Sequence, residues 1–126
     1  MEKAYQAEEL KERSKQFAIR IVRLFQALPS TDEARILGKQ LLRSGSSVAA
    51  NYRAVCRSRS KAEFIAKLGV VVEEIDETLF WLELLIETGV VRRGRMEGLL
   101  AEASQLLAIF AASQHTARMG KGTARQ

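Results

Sequence analysis

Residues 60–87, SKAEFIAKLGVVVEEIDETLFWLELLIE, carry the clearest structural signal in the chain. Ile65, Leu68, Val72, Ile75, Leu79, Leu82 and Ile86 recur at steps alternating strictly between three and four residues. That spacing keeps one face of a helix toward near-parallel neighbours, as in coiled coils and helical bundles. Ser60-Lys61-Ala62-Glu63 opens the segment as a capping box, in which serine oxygen and glutamate carboxylate satisfy amide donors left free at a helix start. The helix is expected to end near Thr88-Gly89. Behind the seam lies a second stripe, Val70, Glu74, Glu77, Trp81 and Leu85, and a tryptophan and a leucine there predict a subunit interface. The alternative is that the chain's own amino-terminal segment covers Trp81.

The flanking segments read as helices too. Leu10, Ser14, Phe17, Ile21, Leu24 and Leu28 predict a first helix over about Ala7 to Ala27, stopped by Pro29. Ser30-Thr31-Asp32-Glu33 has the capping-box form again and predicts a second helix reaching about Arg57. Its seam is Leu37, Leu41, Ser44, Val48, Asn51 and Val55, polar at two positions. A fourth helix, from about Arg93 to His115, uses Met96, Leu99, Ala103, Leu106 and Phe110, with Gly94 and Gly98 weakening its first turns. Connections this short favour antiparallel neighbours. The expected fold class is therefore all-α, an antiparallel up-down-up-down four-helix bundle. Residues 1–117 are assigned to the bundle domain, and 118–126 to a disordered basic tail.

Composition agrees with a helical, intracellular reading. The chain has 126 residues, 47% of them hydrophobic, with one proline, so one core of this size can sustain itself. One cysteine excludes an internal disulfide, and the charged amino terminus has no apolar signal core. The apolar run 79–86 is broken by Glu83 and far too short to span a membrane. A cytoplasmic location follows as the expectation. The net charge of +5 is distributed unevenly. From Arg35 to Lys67 the only anion is Glu63, whereas Val70 to Val91 holds Glu73, Glu74, Asp76, Glu77, Glu83 and Glu87 without a cation. This asymmetry fits a site for a polyanion, a basic face meeting an acidic face of a neighbouring subunit, or two solvated faces.

Residues 40–64, QLLRSGSSVAANYRAVCRSRSKAEF, sharpen the choice. Arg35, Lys39 and Arg43 form a row at i, i+4 and i+8; Arg53 and Arg57 repeat the step, and Arg59 and Lys61 follow at the next turn. Such rows neutralise several phosphates in a salt-dependent way. Tyr52 is the only aromatic among them, which argues against base stacking with single strands. Catalytic constellations are sparse. His115 is the lone histidine, no zinc pattern occurs, and the GKGT of residues 120–123 lacks the strand and glycine spacing of a phosphate loop. Cys56 lies among arginines but has no histidine partner in the pattern, and the helix-three carboxylates do not converge. No enzyme, cofactor or metal is expected.

Phe17 to Leu28, Pro29, Gln40-Leu41-x-Arg43, Ser47-Val48-x-x-Asn51 and Ser60-x-x-Glu63-Phe64 resemble the four-helix-bundle family named for proteins encoded in ribosomal RNA intervening sequences. The resemblance covers roughly residues 10 to 112. It departs where the family commonly has Glu-Gly after the asparagine, since Ala54-Val55 stand there. Membership would imply a ring-like homopentamer. One branch of the family is the accessory protein of diversity-generating retroelements, a basic pentamer that associates with a reverse transcriptase and nucleic acid. Within the motif, Gln40, Arg43, Ser47 and Asn51 share one helix face, which predicts a polar network fixing packing or subunit register, with contact to a ligand as the alternative. Two functions remain open: a basic scaffold contacting RNA, DNA or a nucleic-acid enzyme through Arg35, Lys39, Arg43, Arg53, Arg57, Arg59 and Lys61, or a purely structural protein-interaction module.

Overall fold

The helix read from residues 60–87 is present as Lys61–Glu87, with Ser60 extended at its N-cap. The Ser60 hydroxyl accepts from the Glu63 amide at 3.0 Å, and the Glu63 carboxylate reaches back to the Arg59 amide rather than to that of Ser60. At the other end the chain turns through Gly89, whose φ of 80° is open to glycine at little cost. Gly89 N–H donates to Ile86 O and Val90 N–H to Leu85 O, the paired bonds of a Schellman cap.

The computed structural model describes the backbone of residues 2–124 and the side chains of residues 6–120. Its elements are α1 (Glu2–Ala27), α2 (Asp32–Val55), α3 (Lys61–Glu87) and α4 (Arg93–Ala124), and no strand occurs among the described residues. Three boundaries differ from the sequence expectation. First, α1 begins at Glu2, ahead of Ala7. Second, α2 is capped by Thr31, which accepts from Ala34 N–H, so the Ser30–Glu33 box does not form. Third, α4 continues past His115 through most of the segment expected to be a disordered tail; Arg125 and Gln126 lie outside the described residues.

The helices form a four-helix bundle in which α2 packs on α1 and α3, and α4 packs on α3 and α1. No α1–α3 packing occurs among the described residues. Phe17, Ile21, Leu41, Val48, Ile75, Leu82, Leu106 and Phe110 are fully buried at the centre. Ser14 takes its expected seam place at 0% exposure, its hydroxyl donating to Lys11 O. Ser44 is buried as well: its hydroxyl donates to Leu41 O and accepts from Thr78 at 2.9 Å, so neither buried hydroxyl lacks a partner.

Two helices sit rotated from the sequence register. On α3 the fully buried row is Leu68, Val71, Ile75, Thr78, Leu82 and Leu85, while Val72, Leu79 and Ile86 lie at its edge. On α2, Tyr52 is buried and Asn51 only half-buried. The cause is two-sided packing. Helix α3 serves both α2 and α4, and its buried arc is centred between the two contacts rather than on the narrow 3–4 seam.

Candidate functional site

Helix α2 carries the cations on the side away from its buried row. Arg35, Lys39, Arg43 and Arg53 are exposed there, and Arg57, Arg59 and Lys61 continue the exposed series through the turn into α3. Asp32 and Glu33 in the first turn are the only acidic residues of α2. Arg35 donates to Ser30 O at 3.2 Å. Among the described residues, Arg35, Lys39, Arg53, Arg57, Arg59 and Lys61 have no carboxylate within ion-pair distance. The nearby anion Glu63 is committed to the Arg59 amide and, at 3.5 Å, to Lys67; these contacts hold its carboxyl below the usual range.

Arg43 differs from the rest of its row. Its guanidinium bridges to α3, pairing with Glu74 at 3.4 Å and more closely with Glu77. Glu77 also accepts from the Trp81 indole N–H at 3.0 Å. The Trp81 bond and then the Arg43 bond depress the Glu77 pKa, and the Glu77 bond raises that of Arg43 in return. Arg43 therefore spends its charge within the chain. The motif face resolves into local pairs: Gln40 meets Arg43 at 3.4 Å, and Asn51 donates to Ser47 O at 2.8 Å. Of the expected network, Gln40, Ser47 and Asn51 are half-buried, and the link that crosses helices runs from Arg43 to α3.

The expected interface stripe is altered by the same rotation. Val70 is 40% exposed and Trp81 partly exposed, but Leu85 has no exposure and belongs to the protomer core. Leu85 lies only about 50° from the centre of the buried arc at 100° per residue, so it cannot face a neighbour. Phe80, absent from the sequence reading, is 52% exposed and meets Trp81 edge-on, with centroids 4.9 Å apart. Its signal was its place among Glu73, Asp76, Glu77 and Glu83, on the side of α3 that its own bundle does not use. Also outside the cationic window first read, Arg92, Arg93 and Arg95 stand exposed around the start of α4.

Other chemistry is thin. Tyr52 is 6% exposed, its ring 5.0 Å from that of Phe110, and burial raises its hydroxyl pKa, so it is not available for base stacking. Cys56 is free and exposed at the C-cap of α2. No group of three His, Cys, Asp or Glu side chains able to hold a metal occurs among the described residues. No helix of the described residues is long and apolar enough to cross a membrane. An open cleft of about 360 Å³ between α3 and α4 is lined by Ile65, Gly69, Gln114 and Arg118 among others. Gln114 there donates to Ile65 O over Gly69, where a Cβ would lie 2.7 Å from its amide nitrogen.

The motif residues and the four-helix packing together correspond to a known family. The family model described as 23S rRNA-intervening sequence protein matches residues 7–112. The chain belongs to that family. A solved structure of a protein with unknown function from the S23 ribosomal protein family of Bacteroides thetaiotaomicron is similar, with 34% identity and a TM-score of 0.81. The match covers 87% of this chain and 98% of that one. No curated protein matches. Family membership and the shared fold account for the α2 motif and the bundle.

Proposed function

We propose that this intervening-sequence family protein is a non-enzymatic, oligomeric basic scaffold that contacts nucleic acid, or an enzyme acting on it such as a reverse transcriptase. The observation that carries the reading is the set of exposed cations on α2 and the α2–α3 turn that, Arg43 apart, lack carboxylate partners among the described residues. Unpaired guanidinium and ammonium groups on one face without intervening anions create a positive field that attracts phosphates. The scaffold is an antiparallel up-down-up-down bundle. Contacts that run backward along one helix as they run forward along its neighbour support it: Leu28 then Ile21 of the first segment meet Gly38 then Gly45, and Arg20 then Arg13 meet Gly98 then Glu102. Assembly into a ring, five subunits by the family resemblance, is supported by the apolar outer side of α3, where Phe80, Trp81 and Val70 are exposed or partly exposed.

The test is fluorescence anisotropy with labelled RNA and DNA at two salt concentrations, on protein sized by light scattering. Binding should weaken steeply with salt and fall at least about tenfold in Arg53→Ala/Arg57→Ala. An intact protein that binds neither RNA nor DNA at low salt would remove nucleic acid from the function. The second reading, a protein-interaction module without nucleic acid, is favoured by Arg43, a cation of the row already paired with α3 carboxylates. In that reading the remaining cations would meet Glu73, Asp76 or Glu83 of another subunit.

A further inference from the structure

We infer that the nucleic acid contacted by this surface is double-stranded, held through its backbones at two separate cationic groups along α2. The inference rests on the nucleic-acid reading above and specifies its ligand. The sequence presents the cations as one row, but pairing of Arg43 with Glu74 and Glu77 divides them. What remains is Arg35 with Lys39 near the start of α2, and Arg53 with Arg57 and Arg59 at its end. At 1.5 Å per residue, Lys39 and Arg53 are separated by about 21 Å of rigid helix. Between them the outer side of α2 carries Arg43, about half exposed and tied back to the α3 carboxylates, and then Ser46 and Ala50, both exposed and neither charged, so no anion of α2 repels a polyanion there.

A ligand that reaches both groups must present backbone phosphates to side chains rooted about 21 Å apart along the helix. A duplex does so at no ordering cost, because its persistence length is about 150 base pairs. The span exceeds a major-groove opening of roughly 12 Å by an amount that long cationic side chains can make up, so the strands bordering one groove serve the two groups. A single strand would have to be stretched across the gap. It gains from proteins chiefly by stacking its bases on aromatic rings, worth about 1–3 kcal/mol per base. On α2 and the turn after it that compensation is missing. Tyr52 is buried against Phe110, and Phe64 at the start of α3 is partly buried against the core. Contacts of these cations to phosphates position the duplex without carrying sequence information, so binding is tolerant of sequence.

Competition binding at low salt tests this with duplex RNA, duplex DNA and single strands of equal length, together with duplexes too short to span both groups. Duplexes are expected to bind at least about tenfold tighter than single strands. Removing either pair, as Arg35→Ala/Lys39→Ala or Arg53→Ala/Arg57→Ala, is expected to lower the slope of log affinity against log salt by about 2. Shortening the duplex below the span should erase the difference between the two variants' parent protein and the Arg35→Ala/Lys39→Ala form. Single strands binding as tightly as duplexes would overturn the inference while leaving nucleic-acid binding in place. A salt slope unmoved by one of the two pairs would also overturn it. Absence of binding to every probe by folded protein would remove both this inference and the reading beneath it. Duplex RNA and duplex DNA as separate arms tell which source of the shared backbone is preferred.

Discussion

Glu77 accepts hydrogen bonds from two neighbours of different chemistry, the Trp81 indole on its own helix and the Arg43 guanidinium from α2. Both favour the ionised carboxylate, which is why its pKa is lowered in the folded protein. A carboxyl depressed on folding contributes stability above its unfolded value, near 4.5, and loses it as pH falls through the lower folded value. Replacing Glu77 with Gln preserves an acceptor for Trp81 and removes only the charge. The Glu77→Gln protein is expected to unfold at lower urea concentration than the parent near neutral pH, with the two midpoints converging as pH drops below about 4. Urea titrations monitored by circular dichroism at neutral and acid pH measure this. A midpoint difference that persisted undiminished in acid would show that the pair is not what Glu77 contributes. Since Arg43 is largely exposed, the effect should be small and should shrink in salt.

At the scale of helices, the α1–α2 contact depends on glycines, and the two involved are not equivalent. A Cβ built on Gly45 would lie 2.9 Å from both Cγ1 and Cγ2 of Ile21, a β-branched side chain with no exposure. Such a side chain has few rotamers and no space to move into. At Gly38 the nearest atom is the tip of Leu28, the half-buried residue after α1, which can swing aside. Gly45→Ala is therefore expected to lose stability, with overpacking of about 1–3 kcal/mol exceeding the helix-propensity gain of about 1 kcal/mol. Gly38→Ala should stay within about 1 kcal/mol of the parent, because although its Cβ would lie 2.5 Å from Leu28 Cδ1 and 3.1 Å from Phe25 Cδ1, the atom that must move furthest is the end of a flexible side chain. Chemical denaturation of both variants decides it, and equal losses at the two sites would contradict this account of the contact. Neither glycine was singled out from the sequence. Glycine inside a helix reads there only as a propensity penalty, and its use appears once the partner across the helix pair is known.

For the molecule as a whole, the unusual element is α3, apolar on more sides than its own bundle uses. Leu68, Val71, Ile75, Leu82 and Leu85 face inward, while Phe80 and Val70 remain exposed among Glu73, Asp76 and Glu83. Helices apolar around most of their circumference are ordinarily enclosed. Covering this side with a second copy predicts that the protein is a homo-oligomer by light scattering at micromolar concentration. Phe80→Glu, which adds a like charge to an acidic surface, should shift the mass toward the protomer while helical circular dichroism is retained. A parent protein with the mass of a single chain would defeat the prediction. The sequence pointed to this side of α3 but chose Leu85 in place of Phe80. The error came from centring the core on the narrow 3–4 seam, whereas contact with two neighbouring helices turns the buried arc toward Leu85.

The sequence by itself determined what depends on local spacing. Four helices follow from their apolar periods, the Ser60 cap and the Gly89 turn follow from residue types at fixed offsets, and the α2 motif carries the family. Nearest-neighbour backbone geometry decides such features, so they are written along the chain. Tertiary structure decided what depends on partners distant in sequence. Arg43 was one cation of a uniform row until α3 brought Glu74 and Glu77 beside it. Tyr52 was the one aromatic among the cations, and Phe110 across the core is what buries its ring. Charge neutralisation and burial are properties of what stands across the gap, and only packing places one helix against another.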